Sequence, residues 1–266
     1  MSHQDLEIEK RQDIVFIYFN APPANGLNMQ MVQDLSDRLD ELKESNVPVS
    51  CLIITSRVTD IFIAGADIKM IKAFMEGPDL VGDMVRSNTL LQNTINKIES
   101  LPFPVLAAIN GHAMGGGLEL ALACDFRFMA TGKARIGLPE VNLGLLPGAG
   151  GTQRLSRLIG KSRAKDIIFN ARFLDAEAAL SCGIVDRVFA PDALFPECMK
   201  YAEGLAGRAM RSIAVVKRCI NQGLDGTMAQ GLAIEMDAVK ELLKTMDAQE
   251  GVSAFIEKRK PVFRGF

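Results

Sequence analysis

Two glutamates stand in apolar surroundings that would give their carboxyl groups little access to water. Glu119 lies in LELALAC, with only glycine or apolar residues three and four positions to either side, and Glu140 lies in GLPEVNLGLLPGAGG. Burial without a cationic partner raises the pKa of a carboxyl group, so both glutamates are candidate proton carriers. For Glu119 alone, a structural pairing with a distant arginine is an equal alternative. The combination with Glu140 and a nearby glycine run favours catalysis.

That glycine run, Gly115 to Gly117, follows the apolar segment Val105 to Ile109 and opens the helical pattern that carries Glu119. Glycines at a helix N-terminus present bare backbone N–H groups, which suit an oxyanion or a phosphate. A second stretch with almost no side chains, Ala64-Gly65-Ala66, occurs upstream in IFIAGADI. Two such loops are what an oxyanion hole requires.

A tight turn or a phosphate loop is the commoner role for a glycine run between a strand and a helix. Both nucleotide fingerprints fail here, however. Gln153 occupies the third glycine position of a dinucleotide loop in GAGGTQ, and Leu155 stands where the P-loop before Gly160-Lys161-Ser162 needs its leading glycine.

The elements around these motifs alternate between strand and helix, which predicts an α/β core. The apolar runs predict strands at Ile14–Phe19, Ser50–Thr55 and Val105–Ile109, the last leading directly into the glycine loop. Helical spacing predicts one helix that begins near Asn28 and another that stops before Pro102.

After Leu155 the pattern becomes mainly helical. Helices are predicted around 162–170 and 175–182, followed by a short strand at 184–188. From about Pro191 onward all segments are helical in pattern, which suggests a C-terminal helical subdomain.

Composition agrees with a compact, soluble enzyme, since the 266 residues have 48% hydrophobic content and a formal net charge of −2. No basic cluster longer than Lys258-Arg259-Lys260 occurs, so a nucleic-acid partner is not expected. The longest uncharged run, Leu101–Leu118, contains prolines and polar residues, so no membrane span is expected. Five cysteines without a CxxC pair and only two histidines predict free thiols and no metal site.

Three blocks in this order resemble the enoyl-CoA hydratase/isomerase (crotonase) superfamily, and most closely enoyl-CoA hydratase. They are FIAGADI, NGHAMGGGLELALACDFRFMA and IGLPEVNLGLLPGAGGTQRL, and the likeness extends from IVFIYFNAPPANGLN to FIEKRKPVF. The resemblance implies an α/β fold in which ββα turns form a spiral over residues 1–191. It also implies that residues 192–266 form a helical trimerisation subdomain, giving a homotrimer or a dimer of trimers.

The resemblance further implies hydration of a 2-trans-enoyl-CoA by syn addition of water, in fatty-acid or related acyl-CoA degradation. Glu119 and Glu140 would be the catalytic pair, although the sequence does not separate acid from base. Ala64 and Gly116 would form the oxyanion hole, and the N–H of Gly148 would position the water. The implied CoA contacts are Ala64, Ala66, Asp67, Ile68, Phe255 and Lys258. No cofactor is expected, because coenzyme A is part of the substrate.

Two other functions stay open at this point. A Δ3,Δ2-enoyl-CoA isomerase needs only one carboxylate to move a proton, so the presence of two glutamates favours the hydratase. Some relatives bind RNA, but that function calls for a lysine-rich helix, which this sequence lacks. An N-terminus without an apolar signal segment predicts a cytoplasmic protein, with a processed mitochondrial matrix form as the alternative.

Overall fold

The chain folds into two β-sheets surrounded by helices. The structure, a computed structural model, describes residues 5–45 and 47–265. The strands are β1 (Leu6–Arg11), β2 (Ile14–Phe19), β3 (Cys51–Ser56), β4 (Ile61–Ile63), β5 (Val105–Ile109), β6 (His112–Met114), β7 (Phe126–Ala130), β8 (Ile136–Gly137) and β9 (Arg187–Phe189). The helices are α1 (Met29–Glu44), α2 (Ile68–Glu76), α3 (Leu80–Ser100), α4 (Gly116–Ala123), α5 (Gly151–Ile159), α6 (Lys161–Phe169), α7 (Ala176–Cys182), α8 (Pro191–Leu205), α9 (Met210–Leu224), α10 (Met228–Leu242) and α11 (Met246–Ile256), with a 3₁₀ helix at Glu140–Leu143.

The larger sheet has the strand order β1-β2-β3-β5-β7-β9, and the smaller sheet has the order β4-β6-β8. Among the described strands, all pairings are parallel except β1 with β2. The chain repeatedly adds one strand to the larger sheet, the next strand to the smaller sheet, and then a helix. β3, β4 and α2 make one such turn, β5, β6 and α4 the next, and β7, β8 and α5 the third. The predicted spiral of ββα turns is therefore confirmed.

The predicted strands β2 and β5 are found at their expected bounds, and α3 ends two residues before Pro102. Two expectations were wrong. β5 does not lead directly into the glycine loop, because Asn110, Gly111 and strand β6 lie between them. The strand predicted at 184–188 is β9, at 187–189, because Ile184 and Val185 are buried in a bend that precedes it.

The two faces of the larger sheet are buried by different helices. One face packs against α1, α3 and α4 in the main hydrophobic core, while the other packs against α8 through residues that include Phe16, Phe128 and Leu194. α8 therefore covers the sheet, although the expected boundary at 191/192 assigns it to the C-terminal subdomain. That division stays a prediction, and residues 1–4, 46 and 266 of its two ranges lie outside the described residues.

A buried ion pair docks α9 onto the core. The Nζ of Lys217 donates to Asp125 Oδ2 at 2.7 Å and to the carbonyl oxygens of Ile98 and Phe103. Removing one member of such a pair leaves an uncompensated buried charge, which costs about 3–5 kcal/mol. The remaining C-terminal helices leave many large apolar side chains exposed, among them Leu232, Met236, Val239, Val252, Phe255 and Ile256.

The five cysteines are unpaired, as the sequence predicts. Among the described helices, none combines the length and the apolar character that crossing a membrane requires.

Candidate active site

The two glycine-containing loops meet backbone to backbone. Gly65 (φ 101°) and Gly115 (φ 51°) both occupy the left-handed region that favours glycine. A Cβ on Gly115 would lie 3.8 Å from the Cα of Gly65, and one on Gly65 would lie 3.3 Å from the carbonyl oxygen of Met114. The loops can approach this closely because neither carries a side chain at the contact.

Gly116 is the first residue of α4, a helix that is buried along its whole length. The first N–H groups of an α-helix have no partner within the helix. The Gly116 N–H has no acceptor in the described part of the chain. A Cβ on this residue would lie 3.0 Å from a methyl carbon of Leu27 and 3.2 Å from one of Leu91. Gly116 thus combines an unpaired N–H donor with apolar side chains packed beside its α-carbon, and an oxyanion site needs such a preorganised donor.

The upstream loop presents a different donor from the one that the sequence resemblance assigns. The N–H of Ala64 donates to the carbonyl oxygen of Ala24 at 3.1 Å and is already satisfied. The N–H of Ala66 has no acceptor among residues 5–45 and 47–265. Asp67 caps α2 by accepting from the N–H of Lys69, and Ile68 begins that helix with an exposed side chain. The available donor of this loop is therefore Ala66 and not Ala64.

The carboxyl group of Glu119 is buried, and one of its two oxygens accepts backbone hydrogen bonds. Its side chain is 2% exposed, and Oε1 accepts from the N–H of Ala149 at 2.8 Å and from that of Gly151 at 2.7 Å. Burial raises the pKa of Glu119 above its usual value, and these two hydrogen bonds and the charge of Arg154 offset only part of the rise. The carboxylate form has dedicated donors, as a general base needs.

Glu140 lies at the start of the 3₁₀ helix, in a different electrostatic environment from that of Glu119. Its Oε2 is buried without a hydrogen-bond partner in the described structure, and a Cβ on Gly115 would lie 2.8 Å from its Oε1. Burial, with a smaller contribution from the Glu119 charge, raises the pKa of Glu140 to about 7. Glu140 can therefore hold a proton near neutral pH, which suits a general acid.

The raised pKa of Glu140 predicts how the stability of the protein depends on pH. Native Glu140 binds a proton more tightly than the unfolded chain does, so stability falls as pH rises from the ordinary pKa of 4.5 through about 7. Glu140→Gln removes the buried charge and should raise the free energy of unfolding at pH 8 by about 2 kcal/mol, allowing for partial solvation. Denaturant titrations of the wild type and the variant at pH 8 and pH 4 measure this difference in the free energy of unfolding. At pH 4, where both side chains are neutral, the two proteins should match; a less stable variant at pH 8 would refute the assignment.

Gly148 belongs to the loop that grips Glu119. Its N–H has no acceptor in the described structure, and its carbonyl oxygen accepts from Gln92 Nε2 at 2.5 Å. A Cβ on Gly148 would lie 2.7 Å from Asn88 Oδ1, so α3 covers the loop closely. The free N–H of Gly148 precedes the peptide N–H that donates to Glu119, and its predicted contact with the water stays a prediction.

The two C-terminal residues predicted to contact CoA lie at the end of α11. Phe255 is 85% exposed, and Lys258 follows the helix in a left-handed conformation. Both side chains are exposed. Their predicted contact with the CoA of a neighbouring subunit stays a prediction.

Several contacts of the site could not be found from the sequence. The grip of Ala149 and Gly151 on Glu119 joins residues about thirty positions apart. The supporting side chains of Gln92 and Arg154 carry no motif of their own, although Arg154 falls within the GGTQRL block. Within the described residues, no group of three or more His, Cys, Asp or Glu side chains is arranged to hold a metal ion.

A solved structure shares this fold. The crystal structure of an enoyl-CoA hydratase from Geobacillus kaustophilus matches with a TM-score of 0.94 and 34% identity, covering 100% of this chain and 98% of that one. The fold and the site together define a crotonase-fold enzyme.

Sequence comparison gives the family. The family described as enoyl-CoA hydratase/isomerase matches residues 9–265. A crotonyl-CoA hydratase from Syntrophomonas wolfei is 37% identical over 264 residues, 99% of each chain. The mitochondrial methylglutaconyl-CoA hydratase of Homo sapiens is 41% identical over 98% of this chain and 76% of its own length. The chain belongs to the enoyl-CoA hydratase/isomerase family.

Proposed function

We propose that this protein hydrates 2-trans-enoyl-CoA thioesters to 3-hydroxyacyl-CoA by syn addition of water. The observation that carries the proposal is the unequal environment of two neighbouring carboxyl groups. Glu119 accepts two backbone hydrogen bonds that favour its carboxylate form, whereas Glu140 has an unpartnered buried oxygen and a pKa of about 7. Hydration needs one group of each kind, because water loses a proton while the α-carbon gains one.

The oxyanion hole of this mechanism consists of the N–H groups of Ala66 and Gly116. Addition of water at the β-carbon places negative charge on the thioester oxygen, and each preorganised donor contributes about 3 kcal/mol to the transition state. Both N–H groups lack acceptors in the described structure, while the N–H of Ala64 is occupied by Ala24. The backbone of Ala64 remains available to contact the CoA moiety, together with Asp67 and Ile68.

In the proton transfers, Glu119 activates the water and Glu140 protonates the α-carbon. The N–H of Gly148 holds the water between the two carboxyl groups. The reaction requires no cofactor, since the thioester itself delocalises the developing charge. The substrate class is a short 2-enoyl-CoA, as the names of the crotonyl-CoA and methylglutaconyl-CoA hydratases among its relatives suggest. The step belongs to fatty-acid or related acyl-CoA degradation, in the cytoplasm or a mitochondrial matrix.

The test measures hydration and isomerisation side by side. Purified protein is given a 2-enoyl-CoA, whose conjugated absorbance is lost on hydration, and separately a 3-enoyl-CoA, whose absorbance rises on isomerisation. The proposal expects hydration to be the faster reaction by at least about tenfold. Isomerisation without measurable hydration would instead identify a Δ3,Δ2-enoyl-CoA isomerase.

The proposal includes assembly into a homotrimer or a dimer of trimers through the exposed apolar side chains of α9–α11. In that assembly Lys258 reaches the CoA phosphates of a neighbouring subunit. Lys258→Glu should therefore raise the KM for enoyl-CoA by about fivefold with little change in kcat, because a solvated ion pair contributes up to about 1 kcal/mol. Lys260→Glu, in the same basic segment, is the matched control. Equal KM values for the two variants, or sedimentation of an active monomer, would contradict this arrangement.

A further inference from the structure

The loop at residues 148–151 holds Glu119 from one side and is itself held from the other. Its inward N–H groups, those of Ala149 and Gly151, donate to Glu119 Oε1. Its carbonyl groups point the opposite way. The carbonyl oxygen of Gly148 accepts from Gln92 Nε2 at 2.5 Å, and that of Ala149 accepts from Arg154 Nη1 at 3.1 Å. Gln92 and Arg154 thus donate to the carbonyl groups of two successive peptides in the loop that binds Glu119.

The contact with Gln92 forms a continuous chain of hydrogen bonds. Gln92 donates to the carbonyl of the peptide between Gly148 and Ala149, and the N–H of that same peptide donates to Glu119. Hydrogen bonds in such a chain polarise one another and are strengthened together. Loss of the outer bond therefore weakens the inner one, as well as freeing the peptide to rotate.

Arg154 is fixed more firmly. Its guanidinium forms a bidentate pair with Glu99, at 2.8 and 2.9 Å, and donates to Asn96 Oδ1 at 2.7 Å. A Cβ on Gly150 would lie 2.1 Å from Arg154 Nη1, so the guanidinium lies directly against the loop backbone. Only 14% of this side chain is exposed, which limits its alternative positions.

Gln92, Asn96 and Glu99 are spaced four and three residues apart, so they share one face of α3. One helix face thus supports the loop directly through Gln92 and indirectly through Arg154. Helix α3 also carries Leu91, which faces Gly116, and Asn88, which faces Gly148. The same helix therefore contacts both the oxyanion donor and the loop of the base.

We propose that Gln92 and Arg154 are positioning residues for the general base, because they hold the 148–151 loop in the shape in which its N–H groups grip Glu119. This inference rests on the proposed hydration mechanism and deepens it. The charged groups facing Glu119 are Glu140 from the 3₁₀ helix and Arg154 from α5, with Glu99 of α3 behind the latter. Without the outer supports, burial acts on Glu119 with less compensation, so its carboxylate form becomes less favourable.

The test is the pH dependence of hydration in Gln92→Met and Arg154→Met, since methionine is unbranched and keeps helix propensity. The ionised base is required, so weaker support should move the acid limb of the kcat profile to higher pH. At the acid end of the range, kcat relative to wild type should fall by about tenfold if the limb moves by one pH unit. At pH 9, where loss of the Glu140 proton lowers kcat in all the proteins alike, kcat relative to wild type should stay within about twofold. Arg154→Lys should displace the acid limb less than Arg154→Met does. Asn93→Met on α3 and Arg157→Met on α5 are exposed controls that should follow the wild-type profile.

The outcomes separate this inference from the proposed function. Wild-type protein without hydration activity contradicts the function itself. Active variants whose profiles coincide with the wild-type profile, or whose kcat falls equally at every pH, overturn only the positioning role. If Arg154→Met fails to fold, Gln92→Met decides, because Gln92 lies on an exposed helix surface and its replacement leaves the Glu99 pair intact.

Discussion

Replacing Glu119 with glutamine should lower the kcat for hydration of crotonyl-CoA by about 10²- to 10⁴-fold, the usual contribution of a general base. A glutamine Oε1 can still accept from the N–H groups of Ala149 and Gly151, so the loop geometry is retained. What is lost is the capacity to take a proton from water. The measurement is steady-state kinetics at saturating substrate, with circular dichroism to verify the fold.

Glu203→Gln, at an exposed position on α8, is the matched control and should leave kcat unchanged. Glu140→Gln should be about as damaging as Glu119→Gln, because hydration needs both proton transfers. An enzyme that works through one carboxylate would lose 3-enoyl to 2-enoyl conversion in only one of the two variants. Hydration that survives in Glu119→Gln would show that the two-carboxylate mechanism is wrong.

The second large effect is expected from Gly116→Pro, which deletes one N–H of the proposed oxyanion hole. Loss of a single donor of this kind costs about 10²- to 10³-fold in kcat. The helix should tolerate the change, since Gly116 is the first residue of α4 and proline is favoured at that position. Hydration kinetics on the folded variant measure the loss.

Gly116→Ala is the control that separates hydrogen bonding from crowding. Alanine keeps the N–H but adds a Cβ at 3.0 to 3.2 Å from the side chains of Leu27 and Leu91. We expect the alanine variant to retain much more activity than the proline variant. Equal losses would assign the effect to crowding, and a proline variant with near wild-type kcat would remove Gly116 from the site.

The buried glutamates could be predicted because their evidence is local. Helical geometry around Glu119 offers no polar face, and this is visible in the eight flanking residues. The glycine run before it likewise predicts exposed N–H groups without reference to the rest of the chain. The strands β4 and β6, in contrast, could not be predicted, because three residues are too few to show a periodicity.

The N–H that is free in the upstream loop, the proposed second oxyanion donor, could not be predicted in the same way. Ala64 and Ala66 are equivalent in the sequence, and what separates them is the carbonyl of Ala24, forty residues upstream of Ala64, which occupies one N–H and leaves the other free. The support of Glu119 by Gln92 and Arg154 is also tertiary, because it joins α3 and α5 across the 148–151 loop.

The central claim is that Glu119 and Glu140 add water to one face of an enoyl thioester, and its most direct test is the stereochemistry of the product. Crotonyl-CoA is incubated with the protein in D₂O, and the 3-hydroxybutyryl-CoA formed is analysed by NMR before it can exchange. Two carboxyl groups on the same side of the substrate predict a single product, with deuterium at C2 and oxygen at C3 added syn. Unchanged crotonyl-CoA, or addition in the anti sense, would contradict the account.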